Sequence, residues 1–145
     1  MKTSDLIGAP LNYWVAMAGE EWNHFDTSDT MTLDPSYKGV RLVTYGDGTQ
    51  DAILVPSNPM RQGARVFQPS TDWAQGGPII DRERIQLKGD HNQWRSPSWL
   101  WTAWPDVVGA GVKANGRSDA SPLIAAMRAF VASVYGDNVP DEVSA

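Results

Sequence analysis

The chain has 145 residues and a formal net charge of −5, with 41% hydrophobic and 20% charged residues. These values predict one soluble globular domain, and the acidic balance makes a broad basic face for nucleic acid unlikely. The absence of cysteine excludes disulfides and thiolate chemistry, and two histidines disfavour a histidine-rich metal site. No run of about 18 apolar residues predicts a membrane span, and the N-terminus lacks a secretory pattern, so we expect an intracellular protein without a cofactor.

The first part of the chain predicts a helix followed by a β-hairpin. Apolar residues recur at helical spacing after Pro10, which suits a first helical turn, and Gly19 is a natural C-cap. Short strand-like runs at 42–45 and 52–55 flank the turn sequence "GDG". A further short strand is predicted at 65–67.

The stretch "STDWAQGGPIIDRERI", residues 70–85, predicts two short helical turns. Ser70 or Thr71 can cap the first turn, which is expected to stop at the adjacent Gly76 and Gly77. Pro78 can then begin the second turn. A strand "RIQLKG" is predicted to follow.

The last third combines a β-prone aromatic segment at 94–104, a glycine-rich loop at 107–120 and a terminal helix. Ser121 is the expected N-cap of that helix, Pro122 its first residue and Gly136 its C-cap. Its apolar residues share one face, so the helix is expected to pack on the core. We expect Ile124, Met127 and Val131 to be buried there.

Together these elements predict a single α+β domain over residues 1–136. A small, mostly antiparallel sheet, from the hairpin at 41–55 and strands near 84–104, is expected to pack against the N-terminal and C-terminal helices. Residues 137–145 are predicted to form an exposed C-terminal tail.

Several polar and aromatic residues are candidates for binding a ligand, and each also has a structural interpretation. Asp72 could stabilise a helix start and Trp73 could belong to the core, or both could contact a flat ligand. Gly76 and Gly77 could form a plain turn, or their N–H groups could cradle a phosphate. Arg128 borders the apolar face of the terminal helix, where its side-chain stem could cover that face or its guanidinium could pair with an anion. The candidate set is Asn12, Asp72, Trp73, Gln75, Gly76, Gly77, Arg82 and Arg128.

Catalysis finds little support in the sequence, so we do not expect an enzyme. Neither His24 nor His91 lies near a recognisable nucleophile elbow or triad motif. A hydrolase that uses acidic residues and the two histidines on a metal stays open as an alternative.

Three blocks taken together resemble the NinX-type accessory proteins of tailed phages and prophages. They are "LNYWVAMA", "PSTDWAQGGPIIDRERI" and "SPLIAAMRAFVASVYGD", in this order along most of the chain. The resemblance implies a phage-made protein that acts in the cytoplasm of the host bacterium, in a family without an established activity.

By analogy with other small phage proteins, we expect a homo-oligomeric protein that sequesters a small nucleotide-derived signal of host immunity. Those proteins are similar in size, in abundant aromatic residues and in the lack of catalytic machinery. Two alternatives remain: an inhibitor that binds a host protein through its tryptophans, and a small nucleotide hydrolase.

Overall fold

A computed structural model describes residues 1–23, 37–60, 63–91, 99–105, 116–118 and 121–140. Two 3-10 turns flank the first helix. In chain order, the described elements are a 3-10 turn at Thr3–Asp5, α1 at Gly8–Gly19, a 3-10 turn at Glu21–Asn23, β1 at Tyr37–Thr44, β2 at Gln50–Pro56, β3 at Arg65–Val66, α2 at Trp73–Glu83, β4 at Ile85–His91, β5 at Trp99–Pro105, β6 at Gly116–Ser118 and α3 at Pro122–Tyr135.

The described strands form two three-stranded antiparallel sheets, ordered β1-β2-β3 and β4-β5-β6. α1 packs on the first sheet, α3 packs on the second, and the two helices contact each other. The predicted α+β class is therefore confirmed, with the N-terminal and C-terminal helices against antiparallel strands. The strands predicted near 84–104 pair with each other and with β6, separately from the hairpin.

Two local predictions are confirmed in detail. The "GDG" turn joins β1 to β2, with Gly48 at a φ of 89°, a conformation that favours glycine. Ser121 caps α3 by accepting a hydrogen bond from the N–H of Leu123, with Pro122 as the first helical residue.

The core lies mainly around α1 and α3, and the predicted stripe of α3 is buried. Met127 and Val131 are fully buried and Ile124 is nearly so. Tyr13, Leu11 and Val15 of α1 belong to the same cluster of buried side chains. The terminal helix is therefore a core element, as its spacing predicts.

Three predicted details are wrong. Residues 73–83 form one continuous helix rather than two turns, although Pro78 lies inside it and cannot donate a backbone hydrogen bond. Gly19 ends α1, but the left-handed C-cap is Glu20, at a φ of 46°. The predicted glycine-rich loop at 107–120 contains β6, which pairs with β5.

The segment predicted to be an exposed tail begins with residues that contact the N-terminal segment. The N–H of Thr3 donates to the carbonyl of Asp137 at 2.8 Å, and the N–H of Val139 donates to the carbonyl of Met1 at 2.9 Å. Val139 is buried, and the Thr3 hydroxyl donates to the carbonyl of Gly136 at 2.7 Å. Asp137, Asn138 and Pro140 are exposed, as predicted for a tail, but Val139 is buried against the domain; residues 141–145 lie outside the described residues.

Candidate ligand-binding surface

The start of α2 is fixed by Asp72, which is its N-cap. Asp72 Oδ1 accepts a hydrogen bond from the N–H of Ala74 at 2.9 Å. The Asp72 carbonyl accepts from the N–H groups of Gln75 and Gly76. The predicted caps Ser70 and Thr71 are therefore wrong, and the structural role considered for Asp72 is the one observed.

Two amide side chains hold the backbone that leads into α2. Asn12 Oδ1, on buried α1, accepts from the N–H of Ser70 at 3.1 Å. Gln75 Oε1 accepts from the N–H of Gln68 at 2.8 Å. This short segment belongs to neither a strand nor a helix, so regular secondary structure does not satisfy its N–H groups. The side-chain amide oxygens of Asn12 and Gln75 accept hydrogen bonds from these N–H groups instead. Asn12 and Gln75 are thus brought together around residues 68–70, in a structural role.

Ser70 lies between these contacts and is almost fully buried. Its hydroxyl oxygen has no hydrogen-bond partner among the described residues. Sequence reasoning considered Ser70 only as a helix cap. The buried hydroxyl could not have been found that way, because it depends on Asn12 of a different helix.

The two adjacent glycines lie within α2 and have different surroundings. A Cβ on Gly76 would meet the carbonyl oxygen of Pro69 and would lie 2.7 Å from Leu123 Cδ2 of α3. A Cβ on Gly77 would meet nothing within 4 Å. The N–H of Gly76 donates to the carbonyl of Asp72 at 2.8 Å within the helix, so this N–H group is already engaged. The close approach of α3 to this segment occurs at Gly76.

Trp73 is the first residue of α2 and is 55% exposed. The interpretation of Trp73 as a core residue is therefore wrong. Trp73 therefore presents an exposed indole on a helix start whose backbone is held by Asp72, Asn12 and Gln75. The hypothesis that this surface binds a ligand stays a prediction.

Arg82 lies near the end of α2 and pairs with carboxylates. Its Nη1 and Nη2 donate to the two carboxylate oxygens of Glu21, and its Nε donates to Glu83 Oε1 at 3.0 Å. The Glu21 side chain is only 2% exposed, against 29% for Arg82. Burial works to lower the pKa of Arg82, but the hydrogen bonds and charges of Glu21 and Glu83 outweigh it and raise that pKa. Nothing in the sequence around Glu21 indicates this buried partner.

Arg128 lies on α3, and its Nε donates to the carbonyl oxygen of Leu6 at 2.8 Å. The residue is half-buried. Its guanidinium therefore joins α3 to the N-terminal segment, a contact that neither interpretation of the sequence foresaw.

The candidate residues thus divide into one group and two separate positions. Asp72, Trp73, Gln75 and the two glycines share the first half of α2, and Asn12 contacts the backbone just before it. Arg82 contacts Glu21, and Arg128 contacts Leu6. Within the ranges that the structure describes, no three His, Cys, Asp or Glu side chains are grouped so as to hold a metal ion. None of the helices described is long and apolar enough to span a bilayer.

The fold and this surface define a small α+β protein that presents an exposed aromatic residue at a helix start. A family model described as "Bacteriophage P22, NinX" matches residues 2–134. Because the match covers most of the chain, the protein belongs to this family of phage proteins, and the resemblance of the three sequence blocks is confirmed. No curated protein matches the chain.

Proposed function

We propose that this phage protein acts by binding without turnover, and that it sequesters a small nucleotide-derived immune signal in the host cytoplasm. The observation that supports the proposal is Trp73, a tryptophan that is 55% exposed at the start of α2. Burial of an indole is favourable, so the exposed indole of Trp73 is available to a ligand that would cover it. Self-association of the protein is part of the proposal.

A nucleobase suits this surface because it is flat and stacks on aromatic rings. Stacking of a base on an aromatic side chain contributes roughly 1–3 kcal/mol. The contacts of Asn12 and Gln75 hold the backbone before Trp73, which reduces the conformational entropy lost when a ligand binds. Asp72 uses Oδ1 in capping, and its second carboxylate oxygen can accept from a ribose hydroxyl or an exocyclic amine.

A second candidate function is the inhibition of a host protein through the same surface. The pairing of Arg82 with Glu21 and Glu83 favours it, because that guanidinium is then less available to a phosphate. Tryptophan is also among the residues that most often dominate the affinity of protein interfaces.

A panel of nucleotides, including cyclic dinucleotides, tests the proposal by thermal shift and calorimetry. A nucleotide that binds the folded state raises the melting temperature by mass action. We expect Trp73→Ala to weaken that binding roughly 5- to 150-fold, the equivalent of about 1–3 kcal/mol of stacking, and Trp73→Phe to retain most of it.

Controls separate the alternatives. Met60→Ala, at an exposed position after β2, should bind like the parent, and circular dichroism should show that each variant is folded. Formation of a product would identify a hydrolase instead. If no nucleotide binds, the proposal is wrong and a protein partner is favoured. The proposal is also wrong if Trp73→Ala binds the nucleotide as tightly as the parent.

A further inference from the structure

The tip of the β1–β2 hairpin contains an Asp–Gly bond whose glycine suits the turn conformation. Residues 45–50 are all exposed. The N–H of Tyr45 donates to the carbonyl of Thr49 at 2.8 Å, which closes the turn, and Gly48 has a φ of 89°. Because L side chains rarely adopt that conformation, glycine is strongly favoured directly after Asp47.

An Asp–Gly bond has a specific chemical weakness. The backbone nitrogen of Gly48 can attack the side-chain carboxyl carbon of Asp47, forming a C–N bond and releasing water. The cyclic succinimide then takes up water at one of its two carbonyl groups, and gives either aspartate or isoaspartate. Water is the only other reactant, and no electron transfer is involved. Glycine favours ring closure because it has no Cβ to obstruct the approach.

The structure restrains both partners of that reaction. Thr49 donates to Asp47 Oδ1 twice, from its N–H at 3.0 Å and from its hydroxyl at 2.7 Å. The N–H of Gly48 is engaged with the carbonyl of Tyr45 at 3.0 Å. The hydroxyl of Thr49, and next its N–H, lower the pKa of the Asp47 carboxyl. Ring closure expels water from the neutral acid, and these hydrogen bonds favour the carboxylate.

We propose that the Asp47–Gly48 bond is a site of spontaneous isoaspartate formation in this protein, and that the hydroxyl of Thr49 restrains the rate. The hydroxyl of Thr49 therefore protects the hairpin tip from this chemical change. The resulting isoaspartate would insert an extra backbone carbon at the tip and disturb the pairing of β1 with β2.

The test compares the parent with Thr49→Val and Thr49→Ser during prolonged incubation at near-neutral pH. Valine has nearly the shape of threonine but lacks the hydroxyl, whereas serine keeps it. Peptide mapping with fragmentation that distinguishes isoaspartate from aspartate measures the modified fraction at residue 47. We expect that fraction to grow several-fold faster in Thr49→Val than in the parent, and at nearly the parental rate in Thr49→Ser.

Two controls keep the result specific. Asp47→Glu should remove the modification, because closure through the longer side chain requires a less favourable six-membered ring. Deamidation at Asn115–Gly116, the one Asn–Gly pair in the sequence, should proceed at the same rate in every folded variant. The proposal is overturned if residue 47 stays unmodified in Thr49→Val, or if Thr49→Val and the parent are modified at equal rates.

Discussion

At the scale of single residues, two neighbouring glycines of α2 have opposite expected responses to the same substitution. Gly76→Ala should lower the free energy of unfolding by about 1–3 kcal/mol, because the methyl group would overlap Pro69 and Leu123. Gly77→Ala should raise it by about 0.5–1 kcal/mol, because alanine loses less backbone entropy in a helix and meets open space.

Urea denaturation followed by circular dichroism measures both changes, and each variant serves as the control for the other. Equal effects of the two alanines would contradict the packing described for α2. The sequence presents these residues as an undifferentiated pair that signals a turn. Two contacts of Gly76 distinguish them: the carbonyl of Pro69, just before α2, and the side chain of Leu123 on α3, 47 places further along the chain.

At the scale of secondary-structure elements, α3 provides a matched pair of positions on one face, seven residues apart, of which the core covers the first and not the second. Met127 is fully buried, whereas Val134 is 50% exposed. Met127→Ala should lower the free energy of unfolding by about 2–5 kcal/mol, the sum of lost burial and a residual cavity. Val134→Ala should change it by less than about 0.5 kcal/mol.

Thermal and urea unfolding of the two variants check this difference. If Met127→Ala changed the free energy of unfolding by less than about 1 kcal/mol, the side chain of Met127 would not be packed in the core as described. The sequence predicted α3 well because its determinants are local: Ser121 and Pro122 at the start, Gly136 at the end and an apolar stripe between them.

The prediction for α2 was less successful because tertiary contacts override local preference there. Two glycines and a proline are individually unfavourable within a helix. The cap at Asp72, the contact of Gln75 with Gln68 and the packing of Gly76 on α3 stabilise the continuous helix nevertheless. The candidate surface stays a prediction. Most of its residues lie within one short stretch of sequence, whereas Glu21, the buried partner of Arg82, comes from a distant position and was not predicted.

At the scale of the whole molecule, the N-terminal segment and the end of the chain hold each other. Thr3 contacts Asp137 and Gly136, and Leu6 accepts a hydrogen bond from Arg128. These partners are more than 120 residues apart in sequence, so no local pattern predicts them. The segment predicted to be an exposed tail therefore begins with backbone contacts to the N-terminal segment, although Val139 is the one buried side chain among its described residues.

This paired region also supplies the argument for self-association, which stays a prediction. Ile7 directly follows the segment that lies along α3, and Val134 is on the last turn of α3; each exposes at least half of its surface. A second copy could cover such apolar surface. We expect light scattering at micromolar concentration to give a multiple of 15.9 kDa, and Val134→Lys to shift the protein towards a monomer.

Val134→Lys should keep the fold, because the position is exposed and a cation is favourable near the end of a helix. Met60→Lys is the matched control, since Met60 is also exposed but follows β2, away from α3 in the chain. It should leave the molecular mass of the parent unchanged. A parent protein that scatters as a 15.9 kDa monomer, or equal masses for an associated parent and both lysine variants, would contradict association through this region, because charge at the contact must weaken it.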